Sequence, residues 1–215
     1  GDGVEAGWTD VASDITVNAG TIFSIDNESY IMNASVYVYG TLYINYTYIE
    51  FGGEEDGQYG IYVYSGGSLY MKHSNISAYD KTTYISRPGP GNPSSWTHTW
   101  GYHWKFEVSG NLIIKFCDLS YIWGPDDTNY LTDVYGGLQL RSTSDKTVIV
   151  EDTNIYNCEQ AGIYIGPYPV NIPHSATPRI HRVTVSNTTA TGLIAVGDNV
   201  VPDIQNCTFI GNGYK

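Results

Sequence analysis

Charge is the first thing this chain is short of. Asp, Glu, Lys and Arg make up 15% of it, and only 10 residues are Lys or Arg against 22 Asp or Glu. A formal net charge of −12 argues against a nucleic-acid binder, which needs basic patches facing phosphates. It leaves room for cation binding and for plain solubility. Long apolar runs are missing too: none reaches the length of about 18 residues that a membrane-spanning helix needs. No stretch of about ten residues carries a helical apolar stripe, which argues against βαβ units. Asn-Gly and Asp-Gly pairs between alternating runs are few, so a hairpin meander is disfavoured. Three cysteines are too few for a disulfide framework. No secretory leader is visible and the chain opens at Gly1 without Met, which reads as a mature or trimmed product.

What is present is a repeat. Leu42-x-Ile44-x-x-Thr47-x-Ile49 returns as Leu69-x-Met71-x-x-Ser74-x-Ile76 and as Leu112-x-Ile114-x-x-Cys117-x-Leu119. It returns again as Val148-x-Val150-x-x-Thr153-x-Ile155, and then on Ile180, Val183 and Val185 after Pro178, and on Ile204, Cys207 and Phe209 after Pro202. Apolar residues two apart face the same side of a strand. The two-residue gap before the small residue breaks the alternation, so the strand bends there and resumes. A unit this short cannot bury its own apolar face, so stacked copies must do it together. The small residues Thr47, Ser74, Cys117, Thr153, Val183 and Cys207 then form one interior column. Within it Cys117 and Cys207 lie three coils apart, roughly 14 Å by strand spacing, beyond the reach of about 7 Å for a disulfide. Cys158 sits off the column, and all three cysteines read as unpaired.

A second strand opens each time on glycine, at Gly60, Gly137, Gly162 and Gly192. Glycine at one corner of successive coils fits a positive φ or a close backbone approach. Asn157 and Asn187 each fall two residues after their rung's last apolar position, where Asn tolerates the left-handed conformation and can form a ladder. The whole pattern specifies an all-β, single-domain chain over residues 1–215: a parallel β-helix (solenoid) of about seven to eight coils.

The opening run from Ile15 to Ile25, then Leu42, Ile44, Ile49 and Phe51, resembles the first coils of right-handed parallel β-helix proteins of the pectin-lyase-like group. The later Pro-x-Ile-x-x-Cys-x-Phe phrase at Pro202–Phe209 resembles the same group. The right-handed winding is what that resemblance implies. It implies little about activity, because the fold hosts lyases, hydrolases, tailspikes and structural proteins. The catalytic sets of its enzymes are missing. Only Asp126-Asp127 resembles the paired Asp of polygalacturonase-like members, and placing the proline of the pectate-lyase-like motif on Pro178 puts Ala176 and His181 where arginines belong. The chain therefore reads as non-enzymatic.

Interruptions at about 52–59, 77–101 and 120–136 all leave after a rung's last apolar position, so they project from one side. A fourth, 166–176, leaves from another corner. The looped side is the candidate site. Trp96, Trp100, Trp104, Tyr121, Trp123 and Tyr135 are candidate platforms for sugar rings. Glu54, Glu55, Asp56, Asp126 and Asp127 are candidate calcium ligands, although neither run has the spacing of a defined calcium loop. His98 or His103 with Asp126 or Asp127 is a candidate acid–base pair. The bland alternative is that these loops fold their own aromatics into a small satellite cluster.

Six sequons occur, at Asn27, Asn33, Asn45, Asn75, Asn187 and Asn206, where chance would give roughly two or three. Asn187 competes with a turn role. The sequons and 20 tyrosines resemble archaeal cell-surface β-helix glycoproteins. The expectation is an extracellular, cell-surface structural glycoprotein whose open ends mate head to tail with copies of itself into a filament, sheath or layer. The alternative is a polysaccharide-binding module, lyase or hydrolase working on the looped face.

Overall fold

The computed structural model describes residues 7–79, 84–86, 97–99, 103–124, 136–167 and 173–213. Among these every regular element is a strand, and no helix is long and apolar enough to cross a membrane. The strands sort by corner, as the repeat requires. The first sheet holds eight strands: Thr9–Val11, Ser29–Met32, Tyr48–Phe51, Asn75–Ala78, Asp118–Ser120, Asn154–Tyr156, Thr184–Ser186 and Thr208–Ile210. The second holds seven: Ile15–Val17, Val36–Val38, Gly60–Val63, Lys105–Val108, Leu138–Leu140, Ala161–Ile165 and Thr191–Ala195. The third also holds seven, from Ile22–Asp26 through Thr41–Asn45, Ser68–Lys72, Asn111–Lys115, Val148–Glu151 and Arg179–His181 to Asp203–Gln205. Every pairing within these sheets is parallel, and the three share one apolar core. The result is a parallel β-solenoid-like fold in which each pass of the chain visits the sheets in turn.

The bend inferred from the two-residue gap has a single cause. Between the third and first sheets Asn27, Tyr46, His73, Phe116, Asp152, Arg182 and Asn206 all take φ of 50–56°. A left-handed residue turns the chain sharply in one step, at a cost that non-glycine residues meet only when neighbours hold them. Here the residue after it does so. Thr47 Oγ1 donates to the Asn45 carbonyl (2.8 Å), Ser74 Oγ to Lys72 (2.8 Å), Cys117 Sγ to Lys115 (3.2 Å) and Thr153 Oγ1 to Glu151 (2.7 Å). The same carbonyls also accept the left-handed residue's N–H from the pass before: Tyr46 N donates to Lys72 O and His73 N to Lys115 O. The column of small residues is therefore a column of donors. Val183 is the exception: it has no donor, and the carbonyl two residues back, His181 O, is met by Asp152 N–H from the pass before.

One further rung escapes the repeat template. Ile22–Asp26 pairs with Thr41–Asn45 and turns through left-handed Asn27, but exposed Glu28 stands where the small residue belongs. The glycine corner has two explanations. Gly137 takes a positive φ of 62°. Gly162 and Gly192 are there for space: a Cβ on Gly162 would lie 2.2 Å from Val185 Cγ1, and one on Gly192 would lie 2.5 Å from Phe209 Cδ1. Asn157 and Asn187 both take positive φ at the corner after the first sheet, joined by Tyr121 and Gly211.

Tyrosines stack outside the sheets, one pass above another: Tyr37 on Tyr62, Tyr39 on Tyr64 at 4.3 Å and Tyr43 on Tyr70 at 4.9 Å. At the left-handed corner Tyr46, His73 and Phe116 continue as a stack at 4.8 and 5.0 Å. All three cysteines are free.

Candidate functional site

The corner between the first and second sheets carries the insertions. Residues 52–59 connect Tyr48–Phe51 to Gly60–Val63, and the next pass returns to the second sheet at Lys105–Val108. Between those returns a short antiparallel pair, Tyr84–Ser86 with Thr97–Thr99, lies inside the longest insertion. It is the hairpin-like element that the repeat gives no sign of. The insertion at the other corner contributes Ser175–Ala176, which pairs in parallel with Asn199–Val200.

Two of the sequence candidates meet here, with a third residue the sequence did not single out. The His103 ring places Nδ1 3.2 Å from Asp56 Oδ1 and 3.5 Å from Glu159 Oε1. The donor atoms of Asp56, His103 and Glu159 all lie within 4.8 Å of one another. The imidazole side chain is fully buried, and the two carboxylates keep 15% and 10% exposure. Backbone groups aim both carboxylates: His103 N–H donates to Asp56 Oδ1 at 2.8 Å, and Gly124 N–H reaches Glu159 Oε2 at 3.4 Å. Gly57 N–H donates to the His103 carbonyl at 2.7 Å, binding the first insertion to the next pass. Glu159 was missed because it stands on a short corner with no charge run or insertion to mark it.

The remaining candidates divide. Trp104 is corrected from a sugar platform to a core residue: it is 1% exposed, stacks on Phe51 at 5.1 Å and donates Nε1–H to the Ser120 carbonyl. Trp123 lies with Lys105 Nζ 4.5 Å from its ring centroid and with Gly57 packed against it. Glu54 and Glu55 are exposed while Asp56 turns inward, so the acidic run splits rather than gathering on one ion. His103 partners Asp56 and Glu159; the acids proposed for it, Asp126 and Asp127, lie outside the described residues. Trp96, Trp100, Tyr135, Asp126 and Asp127 lie outside the described residues, as does the side chain of His98.

A groove of about 240 Å³ lies on the outer face of the first sheet. Trp8, Tyr48, Tyr121 and Tyr156 line it together with Glu50 and Asn75. Tyr121 was a candidate; the other three aromatics come from strands or from the unpatterned start, where nothing in the sequence marks a surface residue as facing a cavity.

Outside the third sheet a salt-bridge network gathers charge the sequence leaves scattered. Glu151 meets Lys115 and Arg179 at 2.8 Å each, Arg182 pairs with Asp152 at 2.6 Å, and His181 Nε2 lies 2.8 Å from Asp203. The hydrogen bond from Lys115 and the guanidinium groups of Arg179 and Arg182 hold the Glu151 carboxyl below its ordinary pKa.

Searches of the chain against protein-family models, curated proteins and solved structures each find no match. The stacked parallel sheets are those of a parallel β-solenoid, and no matched family or relative supports the resemblance to pectin-lyase-like proteins.

Proposed function

We propose that this chain is an extracellular structural glycoprotein, a right-handed parallel β-helix of about seven to eight coils that stacks end to end on copies of itself. One observation carries the reading. In the last pass Ile204 and Phe209 are 40% and 43% exposed, although Ile180 and Val185, which pair with them one pass earlier, are fully buried. Phe23 in the first pass is likewise 46% exposed, and Leu42 beneath it is buried. Among the described residues, the first and last layers present apolar columns and backbone edges that a further parallel layer would cover. Unlike ends mating in this way give a heterologous, open assembly.

Native material imaged by negative stain should show filaments or layers repeating at about 35 Å, the height of seven to eight strand spacings. Ile204→Lys should dissociate them. A monodisperse 23.7 kDa species at every concentration tested would overturn the reading. Peptide mapping of the same material tests the glycans. Asn27, Asn33, Asn187 and Asn206 are exposed, and Asn45 and Asn75 are half-buried.

A second reading is favoured by the groove on the first sheet. Four aromatic rings beside a carboxylate and an amide suit a carbohydrate chain, and a glycan on Asn75 would compete for the same space. Binding of neutral oligosaccharides that quenches Trp8 fluorescence would favour it.

A further inference from the structure

We propose that Asp56, His103 and Glu159 form a binding site for a single zinc ion. The inference is independent of end-to-end assembly. It rests first on geometry. Zinc bonds of about 2.0–2.1 Å in a tetrahedron put neighbouring ligand atoms roughly 3.3 Å apart. His103 Nδ1 stands 3.2 Å from Asp56 Oδ1 and 3.5 Å from Glu159 Oε1, and the ligand atoms of all three residues lie within 4.8 Å of one another, so one ion can be reached by all three once the carboxylates close on it.

It rests next on charge. Two carboxylates and an imidazole converge where the ring is fully buried and the acids nearly so. Gathering two negative charges away from water is costly unless a cation joins them.

The donor set selects the ion. Calcium takes six to eight oxygens, whereas one imidazole nitrogen with two carboxylate oxygens suits zinc and leaves a fourth position for water. The residual exposure of Asp56 and Glu159 gives the ion a way in. Backbone bonds orient the carboxylates: His103 N–H donates to Asp56 Oδ1 itself, and Gly124 N–H reaches the far oxygen of Glu159, Oε2, as outer partners of metal ligands do. The three ligands come from residues 56, 103 and 159, on separate passes, so the ion would clamp the looped corner along the solenoid.

The test uses the whole chain, stripped with chelator and titrated with zinc chloride. Calorimetry should give one ion per chain and zinc should raise the melting temperature, while calcium chloride at equal concentration should not. Cobalt(II) in place of zinc should show the intense visible bands of a tetrahedral site. Asp56→Asn, His103→Gln and Glu159→Gln should each weaken zinc binding at least tenfold, and Glu159→Gln keeps an acceptor for Gly124. Failure of the wild-type chain to bind zinc stoichiometrically overturns the proposal, whatever the variants do. So does zinc binding that survives all three substitutions, or a site that prefers calcium.

Discussion

The Thr47 amide donates to Ser74 Oγ across 3.2 Å, and Ser74 Oγ in turn donates to the Lys72 carbonyl behind its own bend. One hydroxyl thus serves two passes of the chain. Thr153 does the same, receiving Cys117 N–H at 3.4 Å and donating to Glu151 O at 2.7 Å. Small polar residues at this column are a repeated answer to the carbonyl that each left-handed turn points inward.

Thr153→Val tests that device with little change of shape. It removes a buried donor and the acceptor for Cys117, so stability should fall by about 1–2 kcal/mol. The loss stays modest because Phe116 N–H still bonds the Glu151 carbonyl. Denaturant melts of the two proteins measure it; a variant as stable as wild type would mean the hydroxyl only fills space.

The thiols should divide by burial. Desolvation pushes Cys117 up to about 11 and Cys158 up to about 12, and only Cys207 is partly exposed. A chromogenic disulfide reagent near pH 8 should therefore titrate one thiol in the folded chain and three after unfolding.

Gly162→Ala should be costly where Gly66→Ala is not. The added Cβ at 162 meets Val185 Cγ1 at 2.2 Å and the Gly192 carbonyl at 2.9 Å, whereas at 66 its nearest neighbour is 3.9 Å away. We expect a loss of about 3 kcal/mol for the first and under about 0.5 kcal/mol for the second, read from the same melts.

Acid should destabilise the fold in two steps. Burial lowers the His174 pKa from 6.5, so the folded chain binds fewer protons there than the unfolded one. That contribution is full above 6.5 and is lost as pH falls through the lower folded value. The Glu151 carboxyl, depressed chiefly by the Lys115 hydrogen bond, contributes above its unfolded value of 4.5 and is lost below it. Melting temperatures from about pH 3 to about pH 8 should show both limbs, with His174→Gln flattening the upper and Glu151→Gln the lower.

Much of the fold was legible because period carries it. Leu69, Met71, Ser74 and Ile76 declare a strand, a bend and a strand with no knowledge of what they touch, and Leu112, Ile114, Cys117 and Leu119 repeat the same phrase. The cysteines followed from the same register. The left-handed residues were less legible: Tyr46, His73 and Phe116 are side chains that seldom take positive φ, and only stacking and the neighbouring donors hold them there. Trp104 was misread because an aromatic beside a loop looks the same in sequence whether it faces solvent or Phe51.

The sequence by itself determined the stacked parallel strands, since an interior that repeats every pass leaves its period in the residues. It named Asp56 and His103 as chemistry-bearing residues without saying that they meet. Only the tertiary structure decided that, because insertions obey no period and 47 residues separate the two. Where such loops return is set by the layers they land on, and the same landing brings Glu159 to the ring.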